Sequence, residues 1–354
     1  MAFLIGENKK IIIDKTLIGN IKEEELQSKS DLLKMIIMLN KIGLDYIEVD
    51  NNIIRILSNL LPENIEYIYR IENIDDFKTY PLGFFFCTVV EYSLFIEINK
   101  MKTYDAKIKH LIVEIDYDDI NTENKIIKLI ENFDFKSVYS IRIINVYNDL
   151  FFEENNVINM IRHYAGSNIK IDICADNRSY LATASAINAL INGADSITTA
   201  LFGIDNKYGL AATEEVLLSL KYVLKAGISG DTTILNILSE LYEKISGNVI
   251  NGMKPIVGRD IFKYESGVHA DGIEKNPATY EPYNPNAVGL ERKLVIGKHS
   301  GSKAIVKKLK SLGIECDNDD IKKVLKFVRE KSIEVKRGLK DEELIQIYKK
   351  VKEL

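Results

Sequence analysis

Four histidines, at positions 110, 163, 269 and 299, are the side chains here that ordinarily titrate between pH 5 and 8. Any of them can give or take a proton at neutral pH, and a tyrosine hydroxyl held nearby can donate to a developing oxyanion. A histidine in a polar stretch more often serves packing or the surface, so residue type alone assigns no role. The three cysteines, Cys87, Cys174 and Cys316, stand too far apart for a CxxC metal site or a disulfide framework. Cys174 could act as a thiol, with Asp176 two residues on, but its strand-like surroundings favour a small buried hydrophobe. Glu214 and Glu215 read as the first turn of a helix, where carboxylates meet the positive end of the macrodipole. The loop Gly227–Gly230 (GISG) is too weak a signal for a phosphate site.

Whatever chemistry these residues do, regular elements must place them. Short β-branched runs alternate with amphipathic segments through the first two-thirds of the chain. Strands are expected at Lys10–Asp14, Tyr46–Asp50, Glu66–Arg70, Phe84–Val90, His110–Ile115, Val138–Asn145, Ile169–Cys174 and Asp195–Thr199. Helices fit at Asp31–Ile42, Asn124–Asn132, Glu154–His163 and Ala182–Ile191. Near-continuous apolar strands separated by helices indicate parallel strands covered by helices, and about eight of them close into a (β/α)8 TIM barrel. Leu60–Lys109 is the least regular stretch.

Composition changes near Gly252. Four of the six prolines fall within Met253–Pro285, which follows turn rules rather than a helix or strand period. Three Lys/Glu-rich segments then read as helices, at Lys303–Leu312, Asp319–Lys331 and Asp341–Leu354. The expected organisation is a barrel over residues 1–250, then a lid arm and small helical subdomain over 251–354.

With 354 residues, 46% apolar and 28% charged, the chain can bury a large core. A formal net charge of −5 argues against nucleic-acid binding. No apolar run reaches the roughly 20 residues of a membrane span, and MAFLIGENKK lacks the basic start of a signal peptide. A cytoplasmic setting is expected.

The segment Phe262–Ala304, FKYESGVHADGIEKNPATYEPYNPNAVGLERKLVIGKHSGSKA, is the most specific part of the sequence. Its ESGVHADGI, TYEP, VGLERK and GKHSG pieces resemble the lid region of the homocitrate synthase and isopropylmalate synthase family. That family joins acetyl-CoA to a 2-oxo acid. More weakly, IIIDKTL, GLDYIEVD, ATASAINALINGAD and GLAATEEVLLSL are similar to barrel segments of the same family. The resemblance implies that His269 and Tyr280 reach from the arm of one subunit into a neighbour's barrel and assist proton transfer, with His299 bracing the arm.

The barrel departs from the pattern at the positions that carry chemistry. Ile18 and Gly19 take the places of the family's substrate-binding arginine and metal-binding aspartate. The family's H-x-H metal pair falls on Cys174 and Asp176, followed by Asn177 and Arg178. Its N-G-x-G-E-R-x-G-N loop falls on FGIDNKYGL, which puts Phe202 on an asparagine, Asn206 on the glutamate, Lys207 on the arginine and Leu210 on the last asparagine. A hard divalent cation prefers carboxylate and carbonyl oxygen, so these replacements leave no metal site in this chain.

A kept arm on a degraded barrel is what division of labour between two chains produces. The chain looks like the omega type of a split, nitrogen-fixation homocitrate synthase. The implied alpha partner binds a divalent metal, 2-oxoglutarate and acetyl-CoA, and the isolated omega chain is expected to be inactive. A second reading is a stand-alone pseudoenzyme that binds a metabolite or protein, with Phe202 filling the former substrate space. A third is chemistry rebuilt around Cys174, Asp176 and Lys207.

Overall fold

A computed structural model of the chain describes residues 3–5, 8–19, 21, 28–57, 60–78, 87–100, 110–132, 138–147, 156–166, 168–205 and 207–353. Residues 1–250 and 251–354 form two compact units.

The first unit contains β1 (Phe3–Ile5), β2 (Asn8–Asp14), β3 (Tyr46–Val49), β4 (Tyr67–Ile71), β5 (Cys87–Glu91), β6 (Leu111–Asp116), β7 (Ser140–Val146), β8 (Lys170–Ala175) and β9 (Ser196–Thr199). Strands β2 to β9 pair in parallel in chain order. The sheet closes on itself where Ile11, Ile12, Ile13 and Asp14 pair with Ser196, Ile197, Thr198 and Thr199. This is the expected eight-stranded (β/α)8 barrel. The strand β1, not anticipated from sequence, adds an antiparallel hairpin on β2.

Helices cover the barrel: α1 (Lys29–Lys41), α2 (Asn51–Leu57), α3 (Ile74–Lys78), α4 (Tyr92–Asn99), α5 (Glu123–Asn132), α6 (Val157–Ala165), α7 (Ala182–Ile191), α8 (Thr213–Tyr222) and α9 (Leu235–Ser246). In α1, the Ser28 side chain accepts from the Asp31 N–H, which caps the helix. Leu32, Met35, Ile36 and Leu39 recur at helical spacing and are fully buried. The irregular stretch 60–109 contributes β4, α3, β5 and α4; positions 84–86 of the expected Phe84–Val90 strand and the start of the expected Glu154–His163 helix lie outside the described residues. The GISG loop is a packing device. Gly230 passes so close to the end of α1 that a Cβ there would lie 1.8 Å from the Ile42 carbonyl oxygen.

The second unit holds β10 (Lys263–Tyr264), α10 (Gly267–Lys275), β11 (Lys293–Leu294), α11 (Ser302–Ser311), α12 (Asn318–Val335) and α13 (Asp341–Lys352). The last three helices bury Ile305, Leu309, Val324, Val328, Leu344 and Val351 together. The arm corrects one expectation. Met253–Pro285 is not turn-like throughout, because α10 occupies the proline-free interval between Pro255 and Pro277. Ser266 caps it, and Ala270 and Ile273 are its buried stripe. Averaging composition over the whole stretch hides a nine-residue helix.

Candidate functional site

The C-terminal ends of barrel strands are where catalytic groups sit in this fold. At the end of β2 the chain turns through Thr16–Gly19. Ile18 is buried there, and Gly19 takes a φ of 71°. Neither offers a donor or acceptor side chain. At the end of β8, Cys174 packs with Ala200, Leu210 and the partly buried Ile144. Burial pushes its thiol up to about 12, so at neutral pH it is a protonated, apolar filler.

Asp176 is fully engaged. One oxygen accepts from the Arg178 N–H at 2.7 Å and from its Nε at 3.1 Å, and the other accepts from Nη2 at 2.9 Å. The guanidinium carbon lies 4.2 Å from the Tyr147 ring centre and 4.8 Å from that of Tyr208. An arginine bound along one edge by a carboxylate and lying against two aromatic rings is a well-placed cation, and it pairs with the one carboxylate at the positions that the resemblance sets against the family's metal pair. Asp176, Cys174 and Gly19 therefore do not fit a hard divalent ion. Among the described residues, no group of three or more His, Cys, Asp or Glu side chains is disposed to hold a metal.

The loop between β9 and α8 is folded back by Leu210 N–H donating to the Gly203 carbonyl at 3.0 Å and Asn177 N–H to that of Gly209 at 2.9 Å. A Cβ at Gly209, where φ is 88°, would come within 2.6 Å of the Gly203 oxygen, so the crossing needs glycine. Phe202 adopts a left-handed backbone with φ 60°. Its ring meets Tyr242 of α9 edge-on at 5.2 Å, and its N–H donates to the buried Glu214 carboxylate at 2.8 Å. Glu214 is thus more than a first-turn carboxylate: it secures the loop. Lys207 lies over the Tyr208 ring, 5.0 Å from its centre. Asn206 lies outside the described residues.

The barrel interior carries a charge network that sequence reasoning missed. Arg142 on β7 donates from Nε to Asp172 on β8 and from Nη1 to Glu48 on β3, both at 2.5 Å, and to Glu114 on β6 at 3.2 Å. Arg70 on β4 bridges Glu48 at 2.6 Å and Glu114 at 2.5 and 2.9 Å. Since β3 and β7 are four strands apart, the Arg142–Glu48 pair spans the interior. Burial alone would raise the Glu114 carboxyl, but Arg70, Lys15 and Arg142 together hold it well below the usual carboxylate range. The signal was present: Glu48, Arg70, Glu114, Arg142 and Asp172 each sit mid-strand in a run that is otherwise mainly apolar.

Asp14, at the end of β2, closes the seam with β9. It accepts from Thr16 N–H at 3.0 Å, Thr16 Oγ1 at 2.9 Å and Thr213 Oγ1 at 3.1 Å, while Leu201 N–H donates to Thr16 Oγ1 at 2.7 Å. Burial outweighs these donors and raises its carboxyl to about 6.

In the second unit, His269 and Tyr280 are brought together. Their ring centres are 4.7 Å apart with planes tilted by 50°, and both side chains are exposed. The flanks of Tyr280 are fixed, because Tyr280 and Glu281 N–H both donate to the Pro277 carbonyl at 3.0 Å. Glu281 in turn takes a two-pronged bond from Arg292 at 2.7 Å on each oxygen. His299 stands elsewhere. Its ring is exposed, its N–H donates to Glu265 Oε1 at 3.3 Å, and Ser300 Oγ donates to the Glu265 carbonyl at 3.1 Å.

Residues 256–337 match the family model described as "Homocitrate synthase post-HMGL domain-like". Over 99% of its length the chain is 38% identical to the homocitrate synthase omega subunit of Clostridium pasteurianum, of which it covers 98%. It is 39% identical to homocitrate synthase 1 of a Nostoc species over 51% of this chain and 48% of that one, so it spans about half the length of that relative. Among solved structures, hydroxymethylglutaryl-CoA lyase from Pseudomonas aeruginosa shares the barrel, with a TM-score of 0.56 at 13% identity over 68% of this chain and 95% of that one.

Proposed function

The chain belongs to the homocitrate synthase and isopropylmalate synthase family, and from that premise we propose that it is the omega-type component of a two-chain homocitrate synthase. The reaction would condense acetyl-CoA with 2-oxoglutarate and water to homocitrate and CoA, for nitrogenase cofactor synthesis. The observation that carries the reading is a contrast within one chain. Asp176 is paired with Arg178 and Cys174 is buried, whereas His269 and Tyr280 form an exposed pair.

On this reading a catalytic alpha subunit holds the substrates and a divalent metal, and the arm of this chain completes its site. The His269 imidazole would pass a proton, and the Tyr280 hydroxyl would donate to the oxygen on which negative charge develops. The stand-alone reading rests on Phe202 as a filler of substrate space; the ring is buried against Tyr242 of α9, which leaves that reading as the second one. Among the described residues no helix is long and apolar enough to cross a membrane, and a cytoplasmic location is part of the proposal.

The test is CoA release from acetyl-CoA with 2-oxoglutarate, by this chain alone, by a co-expressed alpha subunit alone, and by the mixture. Turnover that requires the mixture supports the reading. Turnover by this chain alone overturns it, and silence in every arm shifts the assignment to the pseudoenzyme.

A further inference from the structure

Gly272 occupies the middle of α10, three residues after His269, on the turn of helix where His269 and Tyr280 meet. Its φ is not in the left-handed region, so the backbone there accepts any residue. A glycine inside a helix is also unfavourable relative to alanine. The reason for it is room. A Cβ at position 272 would lie 2.4 Å from Cε2 of Tyr280 and 3.3 Å from its Cδ2 and Cζ. The Tyr280 ring therefore rests directly on the bare backbone of α10, and that seat brings its centre to 4.7 Å from His269. The backbone on both sides of Tyr280 is tied, by Pro277 and by the Glu281–Arg292 pair, so the ring is the part freest to move.

We propose that Gly272 is a positioning residue: by withholding a side chain it seats Tyr280 against His269, so that the arm presents the two groups as one preformed unit. The inference rests on the proposed role of this pair, and it separates from that role experimentally.

Gly272→Ala in the full chain is the test. As a helix-interior change it should leave the melting temperature unchanged or raise it. With histidine ¹³C-labelled at Cε1 the four imidazoles give four NMR signals. In the wild type, Tyr280 should displace the His269 signal by its ring current. In Gly272→Ala that displacement should disappear and match Tyr280→Leu, with the other three signals unmoved. A His269 signal unchanged in Gly272→Ala overturns the proposal, and so does movement of all four signals together. In the mixed enzyme, Gly272→Ala should lower kcat by the same factor as Tyr280→Leu with KM unchanged, and the double variant should lose nothing further. If the NMR displacement is lost while kcat is unaffected, the seat stands and the catalytic reading of the arm fails.

Discussion

The guanidinium of Arg178 clamps the carboxylate of Asp176 with Nε at 3.1 Å and Nη2 at 2.9 Å, and Tyr147 and Tyr208 each lie against that guanidinium. The carboxylate that the resemblance sets against the family's metal pair thus holds a side-chain cation from two residues away. A mobile divalent ion would have to displace it and would then find one carboxylate, a buried thiol and a glycine.

It follows that 1 mM Mn²⁺ should not stabilise the isolated chain. A site with a dissociation constant of about 10 μM would add about 2.7 kcal/mol at that concentration and raise the melting temperature by several degrees. A melting curve superimposable in Mn²⁺ and in EDTA is expected; a saturable rise would contradict the assignment.

For the arm, His269→Ala and Tyr280→Phe should each lower kcat of the mixed enzyme by about 10²-fold. Both side chains are exposed, so stability should change by no more than about 0.5 kcal/mol. Steady-state kinetics beside urea unfolding checks both halves. A mixed enzyme indifferent to both substitutions would sink the trans-acting role.

In the barrel interior, Arg142→Met removes a fully buried cation, takes the arginine from Asp172 and leaves Glu48 and Glu114 with Arg70. Losing one side of a buried ion pair typically costs about 3–5 kcal/mol, because the remaining charge stays desolvated. Urea unfolding should show that loss with an unchanged slope against denaturant.

Asp14 makes a pH-dependent contribution of definite sign. Its folded carboxyl, raised to about 6, binds a proton more readily than in the unfolded chain. Between about pH 4 and 6 the folded state therefore holds the extra proton, and stability from this group falls as pH rises through that window. Glu48 and Glu114, held low by Arg142 and Arg70, run the other way and lose their stabilisation as pH falls. The difference between Asp14→Asn and wild type isolates the first effect. The variant should gain relative to wild type by on the order of 3 kcal/mol between pH 4 and 7. A difference that is flat with pH would refute the raised carboxyl.

Much of this protein is decided by local pattern. The alternation of apolar strands and amphipathic helices determines a parallel barrel, since strands buried on both faces and joined by helices have few other ways to close. The order ESGVHADGI, TYEP, GKHSG marks the family, and the resemblance sets the residues at 18, 19, 174 and 176 against its arginine, aspartate and histidine pair. Residue type is a local property, so these differences from the family pattern are legible without coordinates.

What Asp176 does instead, and which groups meet across the barrel, only the tertiary structure decided. Asp176 and Arg178 are near in sequence, but the rings against the guanidinium, Tyr147 just after β7 and Tyr208 in the loop after β9, come from other parts of the chain. Arg142 and Glu48 are 94 residues apart and meet because the sheet closes. The glycine at 272 lies in a proline-bearing stretch, and only the folded arm shows Tyr280 resting on it. Long-range closure sets which side chains share a space, and no pattern along the chain encodes a distance through it.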